Sequence, residues 1–314
     1  MITLINKDRF IYDLEYKACE IIKEYQDTGR IVLSLNNEGL CLERSGFYKF
    51  LDYLCNTINI DKSLITIHTR NILEQHEFYN IKTHTSHWFN LTKNVIPKNY
   101  TPTKDIELKT IGCFVGKINW NRLILLSYLN ENFKEQSLLT CHYRKDDAQK
   151  RQSELTELNF YAADELITCV KFLEECPMIV NETFSTYTIG PPEHLNILNE
   201  YHRFFVELVI ETYVMGNTFF PTEKTLRPMI AKTPFIAMAP KNHLANLKQR
   251  GFKTFSQWWN EDYDYYEGLP RINEIKKVVA TIMTWPQEKM QQVLIEMEEI
   301  LNHNRTLYLE TRYE

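Results

Sequence analysis

Thr222, Glu223 and Lys224 stand in a row between two apolar segments, with Phe219-Phe220-Pro221 before them and Pro234-Phe235-Ile236-Ala237-Met238 after. The pattern predicts a short strand ending at the triplet, a helix starting in it, and a second strand after the next proline. A carboxylate, an ammonium and a helix N-terminus would then share the carboxyl edge of a sheet. Such a corner suits a nucleotide: Glu223 can accept from ribose hydroxyls, while Lys224 and the helix N-terminus attract phosphate. The same residues also fit a plain helix cap carrying a surface ion pair.

Other residue combinations carry less. His84 and His87 lie three apart without a carboxylate or cysteine at ligand spacing, which favours a polar loop over a metal site. Asp262-Tyr263-Asp264 has the form of an Asp-x-Asp metal motif, but it sits in an acidic, aromatic turn behind Trp258-Trp259, and the tryptophans suit packing. No metal is therefore expected. Neither Gly-x-Gly-x-x-Gly nor Gly-x-x-x-x-Gly-Lys-Ser/Thr occurs, so the ordinary dinucleotide and P-loop readings lose support. The seven cysteines are scattered with no Cys-x-x-Cys, a pattern of reduced thiols in a cytoplasmic setting. No apolar run is long enough for a membrane span, and the opening residues are too short and polar for a signal peptide. A net charge of −5 gives no overall basic field for nucleic acid.

The elements that must position the triplet follow from periodicity. Residues 8–27 predict an amphipathic helix closed by Thr28-Gly29; Ile31–Leu35 predicts a buried strand, followed by a turn at 36–39. Phe47, Phe50, Leu51 and Leu54 mark a helix, and Leu64–His68 the next strand. Three prolines give residues 94–105 linker character. Beyond it, strands are expected at Ile111–Gly116 and Ser137–His142, with a helix through Trp120, Leu123, Ile124 and Tyr128 between them. Residues 143–160 are charged and solvent-facing; residues 196–214 predict a helix with Leu198, Phe205, Leu208, Val209 and Thr212 inward. A further helix runs from Ala239-Pro240-Lys241-Asn242 to Gly251, and the tail after Trp285-Pro286 is helical. With 314 residues, 44% of them apolar, the chain has material for two cores.

The triplet, its helix, Pro234-Phe235-Ile236 and the later Gly251-Phe252-Lys253-Thr254-Phe255 together resemble the nucleotide-sugar half of glycosyltransferases of the two-Rossmann GT-B fold. The segment is most similar to the α-1,3-fucosyltransferase type and to uncharacterised viral and phage glycosyltransferase-like proteins. The likeness covers residues 199–285; upstream it is one of topology. It implies an α/β fold of two Rossmann-like domains. Residues 1–105 would be the acceptor-side domain, 106–285 the nucleotide-sugar domain, and 286–314 a C-terminal crossover helix packing back toward the first.

The resemblance also implies roles. Thr222, Glu223 and Lys224 would hold the donor, with Glu223 on the ribose and Lys224 on the diphosphate. Arg122, after the predicted strand ending at Gly116, and more weakly Lys117, would contact phosphate; each is also a fair surface residue. The paired glutamates of retaining members are missing, since Met215 stands eight before Glu223, so inversion without metal is expected. Inversion needs a general base, for which Glu38 and Glu43 in the turn after the first strand are candidates. Either is equally a solvated loop acid. His142 and Arg144, after another strand, are spare candidates for base and phosphate contact.

The expected activity is transfer of a sugar from a nucleoside-diphosphate sugar to an acceptor hydroxyl, with no cofactor. The acceptor would be a glycan or a hydroxymethylated base in phage DNA. Against DNA, the basic cluster Lys145, Lys150 and Arg151 is interrupted by Asp146 and Asp147. The expected setting is cytoplasmic, that of the host cell for a viral protein. A different class remains open: a catalytically silent nucleotide-binding or assembly protein on the same fold.

Overall fold

The computed structural model describes residues 1–4, 17–35, 39–84, 104, 109–143, 148–180 and 196–310. It shows a mixed α/β chain with two parallel sheets of four strands each. Two compact units hold them, Met1–His87 with Met215–Thr222, and Trp88–Val214 with Glu223–Thr311.

In the first unit β1 (Ile2–Leu4), α1 (Ala18–Thr28), β2 (Ile31–Leu35), α2 (Phe47–Ile58), β3 (Ile65–Thr69) and β4 (Asn80–Thr83) follow one another. The sheet order is β1-β2-β3-β4, the order of the chain. Alternate residues of β2 and β3 are buried, so one face supplies the core: Leu33, Leu35, Ile65 and Ile67 pack with Ile21, Phe47 and Leu51 from the helices. Gly29 ends α1 in the left-handed region at φ 70°, its N–H returning to Tyr25 O at 2.8 Å.

The second unit contains β5 (Lys109–Val115), α3 (Trp120–Phe133), β6 (Ser137–Cys141), α4 (Ala148–Ala162), α5 (Leu166–Glu175), β7 (Phe204–Ile210), α6 (Glu223–Ile230), β8 (Phe235–Met238), α7 (His243–Gln249), α8 (Gly268–Met283), α9 (Gln287–Glu296) and α10 (Glu298–Glu310). Its sheet order is β6-β5-β7-β8. β6, β7 and β8 are buried along their whole length, because helices cover both faces; that is why they read as unbroken apolar runs. A Cβ on Gly112 would meet the Phe204 ring at 2.8 Å, so this strand position takes glycine to let the aromatic pack.

Several expectations change. The helix foreseen over 196–214 is a 3-10 turn, Asn196–Arg203, followed by strand β7. Phe204-Phe205-Val206 and Leu208-Val209-Ile210 are aromatic and β-branched, and central sheet pairing outweighs a chance helical spacing. The strand foreseen just before Thr222 is therefore absent: β7 ends at Ile210, and 211–222 has no regular structure. Strands β1 and β4 were not foreseen; both are short sheet edges, and β4 is mostly exposed. The predicted tail is two helices, of which α10 packs on α6. Of the linker 94–105 only Lys104 is described, and it is no linker residue. Its buried ammonium donates to Tyr201 O at 2.7 Å, Phe204 O at 2.9 Å and Thr233 Oγ1 at 2.8 Å. No helix among the described residues is long and apolar enough to cross a membrane.

Candidate functional site

Strand β5 continues through α3 to β6 on one side, whereas its neighbour β7 continues through α6 to β8 on the other. Accordingly α3 packs with α5 and α8, and α6 with α10. Adjacent parallel strands whose connections diverge open a crevice at their carboxyl ends, where ligands of open α/β sheets bind. The described strands of the first sheet follow chain order without a reversal, so only the second sheet has such a point among the described residues.

Two chain segments flank this point, one after Val115 and one after Ile210. Asn119 caps α3, its Oδ1 accepting from Arg122 N at 3.0 Å. The Arg122 side chain turns inward: Nη1 donates to Lys117 O at 2.8 Å, and Nη2 to Ile210 O at 3.4 Å and Glu211 O at 3.3 Å. A planar fork thus ties the two flanking segments together. Lys117 itself is exposed beside it. His142, one residue past β6, is half-buried, and burial lowers its pKa.

α6 starts at Glu223, and the unit boundary falls between Thr222 and Glu223, inside the motif. Thr222 is buried. Glu223 Oε1 and Lys224 Nζ form an ion pair at 2.7 Å, with their side chains 9% and 17% exposed. Lys224 Nζ also lies 3.4 Å from Thr212 Oγ1, two residues after β7. The ammonium therefore stands at the carboxyl edge, beside one of the segments that flank the divergence.

Behind this edge two buried carboxylates of the β7 segment fasten α6. Thr225 Oγ1 donates to Glu211 Oε1 at 2.5 Å, and His243 Nε2 lies 3.4 Å from the same hydroxyl. Glu207 takes Tyr201 OH at 2.5 Å on one oxygen and Arg227 Nη2 at 3.4 Å on the other. Burial pushes the Glu207 carboxyl up to about 7 against the pull of Arg227, and pushes Lys104 down to about 7 against the pull of Glu207. Sequence reasoning assigned no role to Glu211, His243, Glu207, Arg227 or Lys104. A charged residue in the middle of an apolar run, as Glu207 is, was the available signal.

Glu43 is exposed in the turn before α2, in the first unit. Glu38, Arg144 and the side chains of Lys145, Lys150 and Arg151 lie outside the described residues. Among the described residues of the first unit the buried carboxylate is Glu74, which the sequence did not single out, and burial raises its pKa. Asp264 of the Asp-x-Asp sequence is a helix cap, accepting from Leu244 N at 3.0 Å and Ala245 N at 3.1 Å. Trp259 is buried against Phe255, and Trp258 Nε1 donates to Glu296 at 3.0 Å. His84 pairs with His68 across β3 and β4, Nε2 to Nδ1 at 2.6 Å. Among the described residues no three His, Cys, Asp or Glu gather where a metal ion would sit.

Compared with known proteins, the chain matches no family model, no curated sequence and no solved structure.

Proposed function

We propose that the chain is a glycosyltransferase whose nucleoside-diphosphate-sugar donor binds at the carboxyl edge of the second sheet. One observation carries this reading: the connections diverge between β5 and β7, with the Lys117 and Lys224 ammonium groups on or beside the two flanking segments. Two ammonium groups and a helix N-terminus at a switch point favour an anionic, phosphate-bearing ligand. The likeness of Thr222-Glu223-Lys224 and Pro234-Phe235-Ile236 to fucosyltransferase-type enzymes selects a sugar nucleotide among such ligands. In this reading the two units are the two domains of a GT-B enzyme.

Residue roles follow from chemistry. Lys224 and Lys117 neutralise the diphosphate, and Glu223 exchanges part of its ion pair for the ribose hydroxyls. Arg122 acts at one remove, holding the two flanking segments in register. The acceptor oxygen attacks the anomeric carbon while the bond to the diphosphate oxygen breaks, its electron pair leaving with the nucleotide. The acceptor proton passes to a carboxylate base, for which Glu38 and Glu43 are the candidates. The acceptor would be a glycan or a modified base in DNA.

A thermal-shift panel of UDP-, GDP-, CMP- and ADP-sugars should raise the melting temperature with one nucleotide class, since a ligand of the native state stabilises it by mass action. Calorimetry with that donor should then show Lys224→Ala weakening binding by about tenfold to a hundredfold, the size of one charged hydrogen bond. Unchanged affinity in Lys224→Ala and Glu223→Ala would remove the donor site from this corner. Tight binding with no hydrolysis or transfer would instead point to the silent nucleotide-binding protein.

A further inference from the structure

We infer that Glu211 is the positioning residue that sets the spacing of the two ammonium groups at the donor corner, and so makes the site select a diphosphate; the inference rests on the donor reading above. Glu211 follows β7 and is buried, only 2% exposed. Three parts of it are bonded to three different elements, all within the second unit. Its N–H donates to Met238 O at the end of β8, at 2.9 Å. Its carbonyl accepts from Arg122 Nη2 at 3.3 Å, and its carboxylate accepts from Thr225 Oγ1 in the first turn of α6 at 2.5 Å.

These bonds form a continuous path from one lysine to the other. Arg122 Nη1 donates to Lys117 O at 2.8 Å, while Nη2 of the same plane reaches Glu211 O. The Glu211 carboxylate takes the Thr225 hydroxyl, and Thr225 follows Lys224 directly in the chain. The path closes again through Thr212, the residue after Glu211, whose Oγ1 lies 3.4 Å from Lys224 Nζ. Lys117 and Lys224 therefore start from backbones that the Arg122 fork and Glu211 hold at a fixed separation. Glu211 is the member of the path to which both sides are bonded.

A diphosphate presents two charged groups joined through one oxygen, so two cations at a set distance can each neutralise one of them. A monophosphate presents one group and is far less sensitive to that distance. The role of the acid is geometric, because on charge alone a carboxylate beside an anion site opposes its ligand. Removing it should also act locally. In the body of α6, Arg227 Nη2 still holds Glu207 Oε1 at 3.4 Å, so the loss frees the first turn, which carries Lys224, and leaves the helix fastened.

The test titrates UDP, GDP and ADP, each against its monophosphate, into Glu211→Ala, Glu211→Gln, Thr225→Val, Lys224→Ala and Leu173→Ala. Glu211→Ala and Thr225→Val should weaken diphosphate binding about tenfold and monophosphate binding about twofold or less. Glu211→Gln keeps an oxygen acceptor for Thr225 and should stay closer to the unsubstituted protein. Leu173→Ala, a core change in α5 of the same unit, should lower stability and leave both affinities unchanged. If Glu211→Ala does not fold, Thr225→Val, which keeps every charge, carries the comparison. Diphosphate affinity lost in Lys224→Ala but kept in Glu211→Ala and Thr225→Val would overturn this inference alone. Equal weakening of mono- and diphosphate, or the same weakening in Leu173→Ala, would overturn it too. No nucleotide bound by the unsubstituted protein would overturn the donor reading and this inference with it.

Discussion

His243 shows how a residue beneath the corner ties it to pH. It is fully buried at the start of α7, its Nε2 facing the Thr225 hydroxyl that is bonded to Glu211. Burial first, and the Arg271 guanidinium second, push its pKa down to about 3, with Asp264 opposing them. The unfolded chain takes up this proton near 6.5, whereas the folded chain resists it until about 3. Between those values the unfolded state binds more protons, so the contribution is complete above pH 6.5 and declines as pH falls. Moving from pH 7.5 to 5.0 should therefore remove about 2 kcal/mol through this residue. Urea titrations at both pH values should show that loss in the unsubstituted protein and a shallower one in His243→Asn. Equal losses in the two would assign the acid sensitivity to other groups.

At the scale of elements, the end of β8, the start of α7 and the body of α8 meet on one buried ion pair. Arg271 Nη2 reaches Asp264 Oδ1 at 3.0 Å and Ala237 O at 2.9 Å, and Nη1 reaches Pro240 O at 3.1 Å. Asp264 at the same time caps α7. Asp264→Ala would strand a fully buried guanidinium and two helix amides, which costs about 3–5 kcal/mol when the partner is removed from a buried pair. Asp264→Asn keeps one acceptor and should cost less; chemical denaturation reads both, and a loss below about 1 kcal/mol for the alanine variant would contradict the assignment. The same elements mark the limit of legibility. Ile31–Leu35, Ser137–Cys141 and Phe235–Met238 could be read as strands because their apolar character is local. Phe204–Ile210 could not, since Glu207 in its centre is acceptable only with Tyr201 and Arg227 beside it, and that needs the fold. Asp264 looked like half of a metal motif because the amides it caps, Leu244 N and Ala245 N, lie 20 and 19 residues away in sequence. Lys224 was legible as a charge at a helix start, whereas the bonds of Asn71 to the backbone of Asn217 and Phe219, 146 and 148 residues away, left no local trace.

For the whole molecule, the two units have separate cores but a shared chain path. The first is built on Leu33, Phe47, Leu51, Ile65 and Ile67, and borrows 215–222 from the middle of the second unit's sequence. Unfolding the first unit releases that stretch but removes no strand from the β6-β5-β7-β8 sheet, because β7 ends at Ile210 and α6 starts at Glu223. The dependence is one-sided: losing β7 and α6 would free both chain ends of 215–222, whereas the second core keeps its strands when the first melts. The described tryptophans, Trp120, Trp258, Trp259 and Trp285, all belong to the second unit, so their fluorescence reports on it alone, while circular dichroism sees both. Leu51→Ala opens a cavity in the first core at a cost of about 2–5 kcal/mol. The expected outcome is an earlier first phase in circular dichroism during urea unfolding, with the tryptophan midpoint unmoved. A fluorescence midpoint that shifts with the dichroism would mean that the two units melt as one cooperative body, and the one-sided dependence would be wrong.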